Sequence, residues 1–123
     1  MGVAHSRAIK AGGDVVQAYL SVSAREQGES IVIEVDGELD LGSSPQLEQA
    51  LDYARREEPA LVVIDLAKLR FTDMAGLRVL MEAQAHSDRE GRRLVLANVP
   101  EPVRRVMKLA RVNGAFTILE NPE

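Results

Sequence analysis

Two unbroken apolar runs, Leu61-Val62-Val63-Ile64 and Leu94-Val95-Leu96-Ala97, constrain this chain more than any other feature. Both are too short for a buried helix and rich in Val, Ile and Leu. They read as strands covered on both faces, the pattern of a parallel sheet. Parallel neighbours need a crossover between them, and the residues separating these runs have helical periodicity.

The remaining elements follow from period and punctuation. Residues 19–24 and 31–36 alternate polar and apolar side chains around the turn residues Gln27, Gly28 and Glu29, which predicts an antiparallel hairpin. Residues 115–119 predict a closing edge strand. A first helix places Leu47, Ala50, Leu51 and Ala54 on one face, with Ser43 or Ser44 as N-cap, Pro45 in the first turn and Pro59 beyond the end. A second, over 74–90, turns Leu77, Leu80 and Met81 inward and stops at Gly91; Met74 is the better surface candidate of its methionines. A third presents Val103, Val106, Met107 and Ala110, and stops near Asn113 and Gly114. The order is ββαβαβαβ, an α/β fold with a mixed sheet and helices packed on it.

At 123 residues this is one domain. Residues 1–16 are expected to be a flexible N-terminal tail and residues 17–123 the domain. No secretory stretch and no span of about 20 apolar residues occurs, so the chain is expected to be cytoplasmic, without membrane insertion. Hydrophobic residues make up 46% of the chain but aromatics only 3%, so the core must be aliphatic. The absence of cysteine excludes disulfides, thiolate metal sites and a cysteine nucleophile. With only His5 and His86 as imidazoles, a zinc site or a Ser-His-Asp machine is disfavoured. The net charge of -4 gives no general pull toward nucleic acid. Phosphate-loop, dinucleotide and hydrolase motifs are missing, so no cofactor, no metal and no catalytic residue is expected. The composition points to binding rather than catalysis.

Two segments switch from polar to apolar at element boundaries. Gly37-Glu38-Leu39-Asp40-Leu41-Gly42-Ser43-Ser44 leads from the second strand into the first helix, where Asp40 and the serines can satisfy free N–H groups. The second segment leaves a buried strand at Asp65 and enters the second helix through Thr72 and Asp73. Thr72 reads most simply as a helix cap. Gly76 within that helix's first turn costs about 1 kcal/mol relative to Ala, so it marks a close approach by another backbone or a partner.

These segments carry a resemblance. Gly37-Glu38-Leu39-Asp40 and Asp65-Leu66-Ala67-Lys68-Leu69-Arg70-Phe71-Thr72-Asp73-Met74-Ala75-Gly76-Leu77 are similar to the two signature segments of STAS-domain anti-sigma factor antagonists, over about residues 17–120. The resemblance implies a non-enzymatic switch protein. It would bind an anti-sigma factor, often a GHKL-type serine kinase, and so release the sigma factor held there. The docking face it implies includes Asp40, Ser43, Ser44, Thr72, Asp73, Met74, Ala75, Gly76, Leu77 and Arg78. In such antagonists the kinase phosphorylates a Ser or Thr directly before the motif's Gly, adding nearly two negative charges to that surface.

Here the position before the Gly is Ala75, preceded by Met74, and neither can accept a phosphate. Three readings follow: a constitutive or differently regulated antagonist, a chain in which Ser was replaced by Ala, or a STAS branch outside sigma control. The alternative function is an accessory subunit of an ABC-type lipid transporter docking on its ATPase. Such subunits are similar in fold, and some carry Ala before the same Gly. A nucleotide sensor is a third reading, but no Gly-rich phosphate cradle supports it. Arg104, Arg105, Lys108 and Arg111 cluster on the third helix. Without interleaved aromatics they read as a solvated face, not a nucleic-acid site.

Overall fold

In the computed structural model, residues 9–11, 14–16 and 20–120 are described. Within the segment expected to be a tail, β1 (Ile9–Ala11) and β2 (Asp14–Val16) pair antiparallel as a separate two-stranded sheet. The main sheet contains β3 (Leu20–Gln27), β4 (Ser30–Leu39), β5 (Leu61–Thr72), β6 (Arg93–Ala97) and β7 (Ile118–Leu119), in that spatial order. β3 and β4 form the predicted hairpin, with Gln27 opposite Ser30; Tyr19, the expected first residue of this strand, lies outside the described residues. β4, β5, β6 and β7 are mutually parallel. Helices α1 (Ser44–Glu57), α2 (Met74–Arg89) and α3 (Glu101–Leu109) supply the crossovers.

The core is aliphatic, as the composition requires. Leu20, Val22, Ile31, Ile33, Val62, Ile64, Leu94 and Leu96 from one sheet face meet Leu47, Ala50, Leu77, Leu80, Val103 and Met107 from the helices. Val32, Val63 and Val95 form a row across the opposite face. Leu61 and Val63 are only partly buried, so the run expected to be covered on both faces is fully covered on one. The C-terminal expectations also contract. α3 ends at Leu109 rather than near Asn113, residues Asn113–Ala115 form a 3-10 turn, and the edge strand is limited to Ile118–Leu119.

Two register shifts between β4 and β5 place the site. Glu34 pairs with Asp65 but Asp36 with Lys68, and Gly37 pairs with Leu69 but Glu38 with Phe71. Each shift adds one residue to β5 and reverses which side chains face the core. The buried positions of β5 accordingly run Val62, Ile64, Leu66, Leu69, Thr72. Gly37 lies between the shifts at φ +121°, a conformation that excludes ordinary L side chains. Beyond Ala97, where β6 ends, β4 and β5 continue as a ribbon whose tip carries both singled-out segments.

Candidate functional site

The tip of the ribbon consists of two chain reversals, β4 into α1 and β5 into α2. In the first, Ser43 stitches the turn closed. Its Oγ donates to the Glu38 carbonyl at 2.9 Å and accepts the Asp40 N–H at 3.0 Å. The Ser43 N–H in turn donates to Asp40 Oδ1 at 2.9 Å. Ser43 occupies the N-cap position of α1, as expected, but its hydroxyl faces back toward the strand and makes no bond to the helix. Ser44 donates its hydroxyl to the Leu41 carbonyl at 3.3 Å. Both serines are buried.

In the second reversal the cap is Asp73, not Thr72. Asp73 has extended backbone, and its Oδ1 accepts the Gly76 N–H at 2.9 Å, so a carboxylate sits at the positive end of the α2 dipole. Thr72 faces inward at 2% exposure and donates its hydroxyl to the Asp73 carbonyl at 3.1 Å. The parity reversal in β5 turns Thr72 in and leaves its neighbour Phe71 outside.

Asp73 also joins the two reversals. Its Oδ2 accepts the Leu41 N–H at 3.3 Å, while its own N–H donates to the Leu39 carbonyl at 3.2 Å. Gly76 explains the tightness of this junction. A Cβ there would lie 2.4 Å from Thr72 Oγ1, 2.7 Å from Leu39 Cγ and 2.9 Å from the Leu39 carbonyl oxygen. The close approach signalled by this glycine is made by the protein's own β4, through Leu39, and by Thr72 at the end of β5.

Of the ten residues expected at the docking face, Ser43, Ser44, Thr72, Gly76 and Leu77 are buried. They fix the backbone and leave Asp40, Asp73, Met74, Ala75 and Arg78 accessible at the surface. Sequence reasoning placed Leu41 on this face only as part of the Asp40 to Ser44 loop, without singling it out, and did not nominate Phe71. Leu41 is 74% exposed, Phe71 48% and Met74 47%, a group of large apolar side chains on neighbouring segments. The available signal for Leu41 was an apolar residue between Asp40 and Gly42 in an otherwise polar turn. Phe71 gave no such signal, since its exposure depends on the second register shift. Leu41 directly follows Asp40 and Met74 directly follows Asp73, so in each reversal an exposed apolar side chain adjoins an acidic one. Among the described residues no group of His, Asp and Glu is arranged to hold a metal ion. No helix among them is long and apolar enough to cross a membrane.

Comparison with known proteins agrees with this architecture. An anti-sigma F factor antagonist of Paenibacillus polymyxa is 25% identical over 92 residues, covering 74% of this chain and 79% of that protein. The crystal structure of an anti-sigma factor antagonist from Mycobacterium paratuberculosis superimposes with a TM-score of 0.71 at 24% identity, covering 84% of this chain and 87% of that one. The Bacillus cell fate determinant SpoIIAA in its phosphorylated form gives 0.62 at 18% identity, over 81% of this chain and 92% of that one. The family model described as "Mlab, STAS domain" matches residues 22–120, which include the entire main sheet except its first two and no later residues, both signature segments and all three helices, and the chain belongs to the STAS domain family.

Proposed function

We propose that this STAS domain is a non-enzymatic anti-sigma factor antagonist that binds a kinase-type anti-sigma factor and releases its sigma factor. The observation carrying this reading is the joint surface at the ribbon tip. Asp73 ties two distant segments into one rigid edge, and Leu41, Phe71 and Met74 stand exposed along it. Rigid, exposed apolar side chains bordered by charge are what a docking partner buries. The antagonists among the similar proteins support the same reading.

Asp40, Leu41, Phe71, Asp73, Met74, Ala75 and Arg78 would touch the partner. Ser43, Ser44, Thr72, Gly76 and Leu77 would hold that surface in place. Ala75, partly buried in the first turn of α2, stands where the family's phosphoacceptor is expected. Without a hydroxyl there, binding would not be switched off at this residue. The test is a binary screen of the chain against the anti-sigma factors of the source organism, followed by displacement of sigma factor from a preformed complex. Binding to none of them would overturn the reading. In the presence of a cognate kinase and ATP, Ala75→Ser should gain phosphate; no incorporation would reject the assignment of position 75.

The missing hydroxyl favours one second reading, an accessory subunit docking through the same edge on the ATPase of an ABC-type lipid transporter. Stable co-purification with such an ATPase, lost on Met74→Asp, would select it over the first.

A further inference from the structure

A second surface lies on α3. Residues 104–111 contain Arg104, Arg105, Lys108 and Arg111 and no acid, in a chain whose net charge is -4. Arg104 is occupied: its guanidinium donates to Glu120 Oε1 at 3.0 Å and to the Val99 carbonyl at 3.3 Å. Arg105, Lys108 and Arg111 have no anionic partner among the described residues. Elsewhere Arg25, Arg55, Arg70 and Arg92 do, in Glu34 at 3.8 Å, Asp52 at 3.6 Å, Asp36 at 3.6 Å and Glu58 at 3.5 Å, whereas Arg56, Lys68, Arg78, Arg89 and Arg93 do not; α3 differs in that its unpaired cations fall within seven residues. Arg105 and Lys108, three apart, share a helix face with Leu109, four beyond Arg105, and Leu109 is 79% exposed.

The end of α3 adds an independent observation. The Val112 N–H donates to the Met107 carbonyl at 2.9 Å and the Arg111 N–H to the Lys108 carbonyl at 3.0 Å, the paired bonds of a Schellman terminus. The residue that this motif holds in the left-handed conformation is Arg111, at φ +59°. Glycine occupies that position at least cost, so the chain keeps a cation at a strained site where it satisfies no anion among the described residues.

We propose that the Arg105, Lys108, Leu109 and Arg111 surface docks an acidic segment of a protein partner, with an apolar side chain of that segment seated on Leu109. Carboxylates would pair with the three free cations. A nine-residue helix with one large exposed apolar side chain gives little to insert into a lipid surface, and α3 carries no aromatic residue to stack a base. The inference stands on α3 and does not depend on the anti-sigma reading.

The test titrates the isotope-labelled full chain with a synthetic peptide of Glu and Asp interrupted by Leu, at physiological ionic strength. Backbone resonances should shift over residues 104–112. The R105Q/K108Q/R111Q variant should weaken binding about tenfold, equivalent to about 1.4 kcal/mol. Leu109→Ala, which leaves the charges intact, should weaken it roughly threefold, as one exposed apolar contact allows. Arg111→Gly should weaken binding while raising Tm, a pair of effects that a structural role for Arg111 would not produce. Absence of binding, or a Leu109→Ala variant that binds as tightly as the parent, would overturn the proposal. So would tighter binding of single-stranded DNA or of phosphatidylglycerol vesicles, which would assign the surface to that class instead.

Discussion

The β4–α1 and β5–α2 reversals stand side by side, yet they are held by different means. Ser43 closes the first with local hydrogen bonds to Glu38 and Asp40, and α1 begins without a side-chain cap. The second is wedged: Gly76 lies against Leu39 and Thr72, and Asp73 caps α2. A hydrogen-bonded turn can lose one partner and relax into solvent. A wedged helix start cannot shift without moving a core strand, because protein interiors are packed too densely to yield. The wedged reversal is therefore the reference against which the other is positioned, through the bonds from the Leu41 N–H to Asp73 Oδ2 and from the Asp73 N–H to the Leu39 carbonyl.

The largest effect expected from this contrast is at Gly76. Gly76→Ala places a methyl group within 3 Å of a backbone oxygen, so α2 or β4 must move. Overpacking of about 3 kcal/mol, offset by about 1 kcal/mol of improved helix propensity, leaves a net loss of about 2 kcal/mol. Denaturant unfolding measures it. An unchanged midpoint would show that the two reversals are equally compliant and would remove the distinction.

Asp73→Ala should come next. It removes the cap of α2 and the tie to Leu41 together, for a loss of about 1.5 kcal/mol. Asp73→Asn keeps an oxygen for the cap and should recover most of that loss. Ser43→Ala is expected to cost about 1 kcal/mol by leaving the Asp40 N–H and the Glu38 carbonyl short of a partner. If Ser43→Ala proved costlier than Gly76→Ala, the hydrogen-bonded turn would be the rigid element and the wedged one its dependant.

Much of this architecture was legible in the residues. Period-two alternation around Gly28 specified the hairpin, the apolar face of α1 matched its buried residues, and on α2 Leu77 and Leu80 are buried as expected whereas Met81 is only partly buried and Val79 takes a place in the core. The site was legible as two segments but not as an arrangement of side chains. Leu66, Leu69 and Thr72 are three apart, a spacing that fits neither a regular strand nor its ordinary alternation, because two extra residues enter β5. Pairing register is a property of two strands, so one strand's sequence could not place Thr72 inside and Phe71 outside. The same shift separates Thr72, expected as the cap, from Asp73, which performs that role. Gly76 announced a close approach, but only the neighbouring strand could identify its source.

The smallest stability effect and the sharpest functional one should coincide at the exposed apolar side chains. Leu41 lies on the hydrogen-bonded reversal, Met74 on the wedged one, and both are accessible. Their side chains contribute little to the folded state, so Leu41→Ser and Met74→Ser should each change stability by no more than about 0.5 kcal/mol. Partner binding should respond differently. Met74 is presented by a helix start that cannot relax, so its loss removes a preorganised contact; Leu41 belongs to a turn that must be held still on binding. Met74→Ser is therefore expected to weaken binding more than Leu41→Ser, by calorimetry against whichever partner the screen identifies. The Asp73→Asn background separates the contributions: loosening the tie to Leu41 should diminish the effect of Leu41→Ser and leave that of Met74→Ser nearly intact. Equal losses in both backgrounds would mean that the partner, rather than Asp73, orders the first reversal.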